Sequence, residues 1–396
     1  SVSRRRRVET GSVLGPAMKV AGPFLTAVGS HPCESANDRD LCRYVDGDGL
    51  ADILVGAYGV DTHGPVTGAV YVILGRSLGA PGVIYLSDAD YKLTGESERD
   101  FAGYALSSAG DVDGDGLDDI LVGASGQDEG GQFAGAAYVV LARSLAAGDL
   151  TELADADYKF IGETDADWAG YSVSGAGDVD GDGLGDILIG ADGDQGGYMA
   201  HAAYLILGSS LGSSASIDLF EADYKFIGED SYDYASQVST AGDVDGDGRP
   251  EFFATPSDPN RSGETQPGTV VMYRFEDGAY VRTLLDHTER THAKEILAAD
   301  LDGDGVIELF SAVEAIKEGG ELQGQVEIRQ FIFEDGEPAG HRVVATIDDE
   351  QLRFMMAHDF DSDGLQELVL APMRTGLHLM RSSGAGAYTL EHIEAE

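Results

Sequence analysis

Apolar positions in this chain come in short runs, and no stretch repeats them with helical spacing. The runs DILVGA, AAYVVLA and YKFIGE are six or seven residues long and are flanked by polar residues and glycine. They predict short strands joined by tight turns. The most continuously apolar of them, such as AAYVVLA, read as strands covered on both faces. Those around DYKFIGE are more polar and are placed outermost in their sheet.

The runs are phased. YVDGDGLADILVGA starts at Tyr44, DVDGDGLDDILVGA at Asp111 and DVDGDGLGDILIGA at Asp178. DVDGDGRPEFFATP follows from Asp243, DLDGDGVIELFSAV from Asp300 and DFDSDGLQELVLAP from Asp359. Successive starts lie 67, 67, 65, 57 and 59 residues apart. ADYKLTGE at Ala89 and ADYKFIGE at Ala156 and Ala222 recur in step with them. One unit therefore holds an aromatic-led strand, an acidic loop, a second strand, a Gly-rich loop, a third strand, a polar link and a fourth strand. Four strands in such a unit make one antiparallel sheet. A lone sheet of this kind leaves two faces and its edges bare, and radial packing around an axis covers them, which predicts an all-β β-propeller. Six repeats are visible, and seven sheets stay open. The propeller is expected over residues 44–396, with residues 1–43 as a weakly ordered lead-in.

The acidic loops carry the candidate chemistry. In the second, carboxylates stand at positions one, three, five and nine: Asp111, Asp113, Asp115 and Asp119. Glycines at positions four and six let the backbone wrap tightly, and Leu117 at position seven offers its carbonyl. Such a set of hard oxygen donors suits Ca²⁺; Zn²⁺ would need His or Cys, and Mg²⁺ is the second choice. The same positions give Asp178, Asp180, Asp182, Leu184 and Asp186 in loop three, and Asp243, Asp245, Asp247, Arg249 and Glu251 in loop four. Loop five offers Asp300, Asp302, Asp304, Val306 and Glu308; loop six offers Asp359, Asp361, Asp363, Leu365 and Glu367. Loop one has Tyr44 at position one and keeps Asp46, Asp48 and Asp52, so it should bind most weakly. Up to six Ca²⁺ ions are expected, one per loop. An EF-hand places its last acid at position twelve, before a helix; here the last acid is at nine and a strand-like run follows.

Charge narrows the partners. With 71 Asp and Glu against 25 Lys and Arg, the net charge of -46 repels phosphate backbones and excludes nucleic acid as a ligand. Bound calcium would offset part of the excess, and the rest reads as solubility or adaptation to salt. No apolar run of membrane-spanning length occurs, so no membrane insertion is expected. The opening SVSRRRRVETGSVLGPAMKV makes a poor signal peptide, because Glu9 and Lys19 break its apolar run. Cys33 and Cys42 leave a disulfide and two free thiols equally open. Oligomeric state is left open.

Two G-x-S-x-G segments, Gly75–Gly79 and Gly208–Gly212, match the nucleophile turn of hydrolases. Both fall at one phase of the repeat after an apolar strand, and neither precedes a helical pattern, so they read as structural turns. His287 and His292 lack metalloprotease spacing. Asn260-Arg261-Ser262 is a formal glycosylation sequon.

The chain resembles the FG-GAP repeat of integrin alpha-subunit β-propellers and their bacterial relatives. The resemblance rests on D-x-D-G-D-G-x-x-D in Asp111–Asp119 and Asp178–Asp186, on FAGYA from Phe101 and WAGYS from Trp168, and on Gly56-Ala57, Gly123-Ala124 and Gly190-Ala191. It departs from the family in the extra residue that FAGY carries inside the Phe-Gly pair, in Ala254-Thr255-Pro256 of repeat four, and in repeats five and six, which lack most of both flanking elements; the family's usual seven blades exceed the six visible repeats. It implies Ca²⁺ in the loop between the first two strands, on one propeller face. It also implies a non-enzymatic, extracellular or cell-surface module engaging a protein or glycan on the opposite face. That face would hold Gly126–Gly135, Gly193–Ala202 and the links at Ser97, Thr164 and Asp230, with Phe133, Tyr198, Trp168, Tyr232 and Tyr234. Packing between sheets is the competing role for Trp168 and Tyr234. An enzyme acting on carbohydrate and a structural part of a surface assembly are the alternatives.

Overall fold

The computed structural model describes residues 26–29, 45–50, 52–78, 84–146, 151–193, 201–212, 214–227, 238–244, 249–254, 268–276, 279–288, 293–304, 306–318, 321–334, 336–358, 365–384 and 386–393. The described chain is almost wholly β. Cys33, Cys42, the sequon at Asn260 and His292 lie outside the described residues, as does most of the lead-in. Within the lead-in, Thr26–Gly29 forms a strand that pairs with Ile53–Gly56.

Six sheets follow one another along the sequence, each ordered first to fourth strand and antiparallel throughout the repeat. In the first, Thr26–Gly29, Ile53–Gly56, Ala69–Ile73 and Tyr91–Thr94 pair in turn. The second runs Ala105–Gly110, Asp119–Ala124, Ala136–Val140, Tyr158–Ile161. The third runs Ala169–Gly177, Asp186–Ala191, Ala202–Ile206, Tyr224–Ile227. Sheets four to six end in long hairpins, Gly268–Glu276 with Ala279–Thr288, Val326–Glu334 with Glu337–Ile347, and Leu377–Gly384 with Ala387–Ile393. A small hairpin, Ile316–Glu318 with Glu321–Gln323, stands apart. In every sheet the acidic loop joins the first strand to the second.

The middle strands read as continuous apolar runs because each feeds two cores. In Asp119–Ala124, Ile120 and Val122 enter the cluster shared with the first sheet, while Leu121 enters the one shared with the third. Ile187 and Ile189 return to that second cluster, and Leu188 joins the next, beside Tyr273 and Tyr280 of sheet four. Two further clusters join sheets four and five through Phe253 and Phe331, and sheets five and six through Phe310 and Leu370. Five clusters thus weld five successive junctions. First strands of successive sheets lie side by side along the whole series.

Polar repeats make the junctions specific. Glu96, just past the fourth strand of sheet one, accepts from the Tyr138 hydroxyl at 3.0 Å and from Lys159 Nζ at 2.9 Å, both in sheet two. Glu163 does the same one repeat on, with Tyr204 at 2.9 Å and Lys225 at 2.6 Å. Each lysine also sits over the tyrosine ring it flanks. The recurring D-Y-K-x-x-G-E is therefore an inter-sheet clamp: its Lys reaches back to the Glu of the preceding copy.

Outer edges are also tied. Ser216–Asp218 adds a parallel fifth strand to Tyr158–Ile161, and Glu152 bridges Thr94 in the same manner. Capping an edge this way removes a template for unwanted pairing.

Truncating Phe160, fully buried in the second cluster, should cost about 3–5 kcal/mol in urea unfolding. Phe220→Ala, at a side chain in an 80% exposed residue, should stay within about 0.5 kcal/mol of the parent.

Candidate metal centre

Sequence dictates the loop's shape first. The glycines at positions four and six take left-handed backbone angles: φ is +75° at Gly114 and +93° at Gly116 in loop two, and +78° at Gly181 and +94° at Gly183 in loop three. A side chain there would be strained. The turn brings the acids inward, and their oxygens accept the loop's own amides. Asp111 Oδ1 takes the Asp115 N–H at 2.9 Å and Asp111 Oδ2 the Gly116 N–H at 3.1 Å. Asp115 Oδ1 takes the Leu117 N–H at 2.9 Å. Loop three repeats all three bonds with Asp178, Asp182, Gly183 and Leu184. Loop five keeps the last as Val306 N–H to Asp304 Oδ1 at 2.8 Å.

Among the described residues three groups of carboxylate oxygens result: Asp111, Asp113 and Asp115; Asp178, Asp180 and Asp186; Asp300, Asp302 and Asp304. Within each, one oxygen per residue lies within 4.8 Å of the others. Oxygens about 2.4 Å from a shared ion stand at most about 4.8 Å apart, so these groups fit Ca²⁺, and their donors are all hard oxygens. Neither His nor Cys takes part. Asp46 and Asp48 of loop one are described, but Tyr44 is not. Asp245 and Asp247 of loop four, and Asp359, Asp361 and Asp363 of loop six, lie outside the described residues.

The ninth position has a second duty that spacing did not reveal. Asp119 Oδ2 accepts the Val112 N–H at 3.0 Å, and its Oδ1 accepts the Ala142 N–H at 2.9 Å, just past the third strand. Asp186 ties Val179 at 2.7 Å and Gly208 at 2.8 Å. Asp52 takes the Gly75 N–H, Glu251 that of Val244, and Glu308 that of Leu301. The ninth acid thus pins the acidic loop to its own sheet. In loop three it also joins the oxygen cluster. Burial pushes Asp119 and Asp186 up to about 7 despite these bonds, with the neighbouring loop acids adding to the rise. Burial likewise takes Glu308 to about 7.

Loops are chained to one another as well. In loops two, three, four and six the seventh-position side chain covers the fourth-position glycine of the loop before it. A Cβ on Gly47 would stand 2.8 Å from Leu117, on Gly114 3.2 Å from Leu184, and on Gly303 2.4 Å from Leu365. Position seven therefore contributes its side chain to the neighbouring loop, a contact that crosses between repeats and leaves no local signal.

The serines of the two G-x-S-x-G segments are structural. Ser77 donates to Asp90 at 2.6 Å and Ser210 to Asp223 at 2.7 Å, and Ser144, in the copy without the glycines, donates to Asp157 at 2.7 Å. The same aspartates accept backbone N–H groups of Leu74, Leu207 and Leu141. Each serine closes a turn, as the repeat phase predicts.

By topology, the end of the sheets away from the acidic loops carries the second-to-third-strand loops and the links between sheets. Phe133 and Trp168 stack there, with centroids 4.9 Å apart. Tyr58, Tyr104 and Tyr171 form a row at 5.3 Å and 5.2 Å. All six non-glycine residues with positive φ among the described residues, Val66, Arg99, Phe101, Phe133, Ala166 and Trp168, fall in these segments. Tyr198, Tyr232 and Tyr234 lie outside the described residues.

Comparison with known families matches the geometry. The FG-GAP repeat matches residues 45–73, 102–140 and 169–206, and the FG-GAP-like repeat matches 243–311, so the first five acidic loops fall within matched segments. This chain carries FG-GAP repeats. It is also distantly similar to integrin alpha subunits: 32% identical over 155 residues to integrin alpha-3 of Cricetulus griseus, covering 38% of this chain and 13% of that protein. To integrin alpha-PS2 of Drosophila melanogaster it is 30% identical over 167 residues, covering 40% of this chain and 11% of that protein. The matched stretch thus spans little more than a tenth of these relatives.

The two kinds of acid should separate on mutation. Asp119→Ala strands two backbone N–H groups and should cost about 2–4 kcal/mol of unfolding free energy even in chelator. Asp113→Ala should leave chelated stability nearly unchanged and lower the stabilisation by calcium. For pH, the folded-state values near 7 exceed the ordinary carboxyl value of 3.8. The folded chain then holds more protons than the unfolded one between about pH 4 and 7. These groups' contribution is full below about pH 4 and is lost as pH rises through 7. In chelator, the melting temperature should fall from pH 5 to pH 8, and saturating calcium should flatten or reverse that slope.

Proposed function

We propose that the FG-GAP sheets close into a calcium-stabilised β-propeller that serves as a non-enzymatic binding module outside the cell or on its surface. The observation that carries the reading is the set of oxygen-only clusters at phased positions on one end of sheets two, three and five. A divalent cation would be held by Asp111, Asp113 and Asp115, and by the matching acids of loops three and five. It would supply positive charge that joins loop to loop. Calcium outside cells is abundant enough to fill sites with Kd of about 10⁻⁴–10⁻³ M.

Closure is supported by the two terminal sheets. Val55 and Ile73 lie on the face of sheet one turned away from its cluster with sheet two, yet are only 0% and 2% exposed. Val369 and Leu379 on the outward face of sheet six are each 8% exposed. Met356 and Leu377 share that face of sheet six and are each 43% exposed, so the sheet-one face is covered along its middle strands and the sheet-six face only around Val369 and Leu379. No helix among the described residues is long and apolar enough to cross a membrane.

The ligand, a protein or a glycan, is assigned to the end opposite the acidic loops. What supports this is the tyrosine row, the Phe133–Trp168 stack and the strained backbone gathered there, since such strain concentrates at functional sites. Relatedness to integrin alpha subunits favours binding over turnover.

Calorimetric titration with Ca²⁺ should show several equivalents bound, with a melting temperature that rises with Ca²⁺ and falls in chelator. An absence of binding heat and of any shift at millimolar Ca²⁺ would remove the metal reading. Glycan-array and pull-down screens should return hits that are lost on adding EGTA; hits unaffected by it would uncouple recognition from the loops.

A further inference from the structure

Each of the first three acidic loops has a guanidinium at its third or fourth position, and the arginines come from two kinds of place. Arg76 Nη1 donates to Asp46 Oδ2. Arg143 Nη1 donates to Asp113 Oδ2. Both lie in the turn after the third strand of their own sheet, at the same phase of the repeat. In sheet three that turn position is Ser209. There the charge arrives from the next repeat. Arg249, at position seven of loop four, lies over loop three, its Nε 3.4 Å from where a Cβ on Gly181 would stand. Its Nη2 lies 3.7 Å from the same point, so the guanidinium rests against the residue that follows Asp180. The matching residues Leu117, Leu184 and Leu365 pack the same glycine position without charge. An arginine thus replaces leucine at the one of these four contacts whose own turn has serine in place of arginine.

We propose that Arg76, Arg143 and Arg249 are built-in counter-charges that set the divalent-cation affinity of loops one, two and three, with Arg249 linking loop three to the repeat that follows. The proposal rests on the calcium reading of the loops. Affinity in oxygen-ligand loops follows the net charge of the ligand set. A guanidinium on one carboxylate cancels one negative charge and repels the incoming ion. At a separation of about 6 Å in water-like surroundings, one unit charge against a divalent ion changes affinity about tenfold. The arginines of loops one and two are half-exposed at the side chain, 51% and 56%, so replacing them leaves the core intact. Their effect should also weaken as salt rises.

The test is calorimetric titration of the full chain with CaCl₂ alone, on wild type, Arg143→Gln, Arg143→Lys, Arg249→Leu and Ser209→Arg. Asp180→Ala, which disables loop three, identifies that loop's equivalent. Arg143→Gln should tighten one equivalent about tenfold at low salt, and less at 0.5 M NaCl. Arg249→Leu should do the same for the loop-three equivalent, and Ser209→Arg should weaken it. Arg143→Lys, which keeps the charge, should follow wild type. Unchanged or weaker binding in both Arg143→Gln and Arg249→Leu would overturn the proposal, since the arginines would then be inert or would serve only to orient the acids. If wild type itself took up no calcium, the calcium reading would fall and this proposal with it; binding in wild type that the variants leave unaltered sinks the counter-charge role alone.

Discussion

Mutual repulsion among carboxylates is the constraint around which this molecule is organised. Acidic loops two, three and five each gather three of them around one point, within a chain whose net charge is already -46. Loop amides, guanidinium groups and the burial that raises the ninth-position acids all lessen that repulsion. A divalent cation would do so most completely, because its charge sits where the oxygens converge. The loops lie between the first and second strands of every sheet, so relieving their charge is also a matter of how the sheets are held.

The ninth acid is where metal chemistry and fold meet. Asp119 and Asp186 bind the start of the acidic loop and the turn past the third strand at once. A change at the cation site is therefore felt across the sheet. It also passes sideways, because position seven of one loop rests on the glycine of the loop before. Beyond the loops, the Tyr–Lys–Glu clamps and five apolar clusters lock one sheet to the next. This suits a rigid platform better than a machine with moving parts.

Much of this was legible along the chain. The phase of D-x-D-G-D-G fixes the loops, and the doubly apolar runs mark middle strands because alternate residues must serve two cores, as Leu121 does between Ile120 and Val122. The turns at Ser77 and Ser210 were legible from their phase as well. What escaped reading depends on contacts made through space. The D-Y-K-x-x-G-E repeat is visible, but that Lys159 reaches Glu96 of the previous copy follows only from sheet stacking. The parallel strand Ser216–Asp218 has no pattern of its own, because it borrows its partner from another repeat. Arg249 reads as a mere variant at position seven until its neighbour Gly181 and the serine at 209 are placed beside it.

The most direct measurement is crystallographic. Crystals grown in millimolar calcium, with anomalous data collected at long wavelength, should show a strong peak enclosed by Asp111, Asp113 and Asp115, and others at the matching acids of loops three and five. Oxygen ligands should lie at about 2.3–2.6 Å. Loops that hold only water, or whose acids turn away from one another under those conditions, would contradict the account.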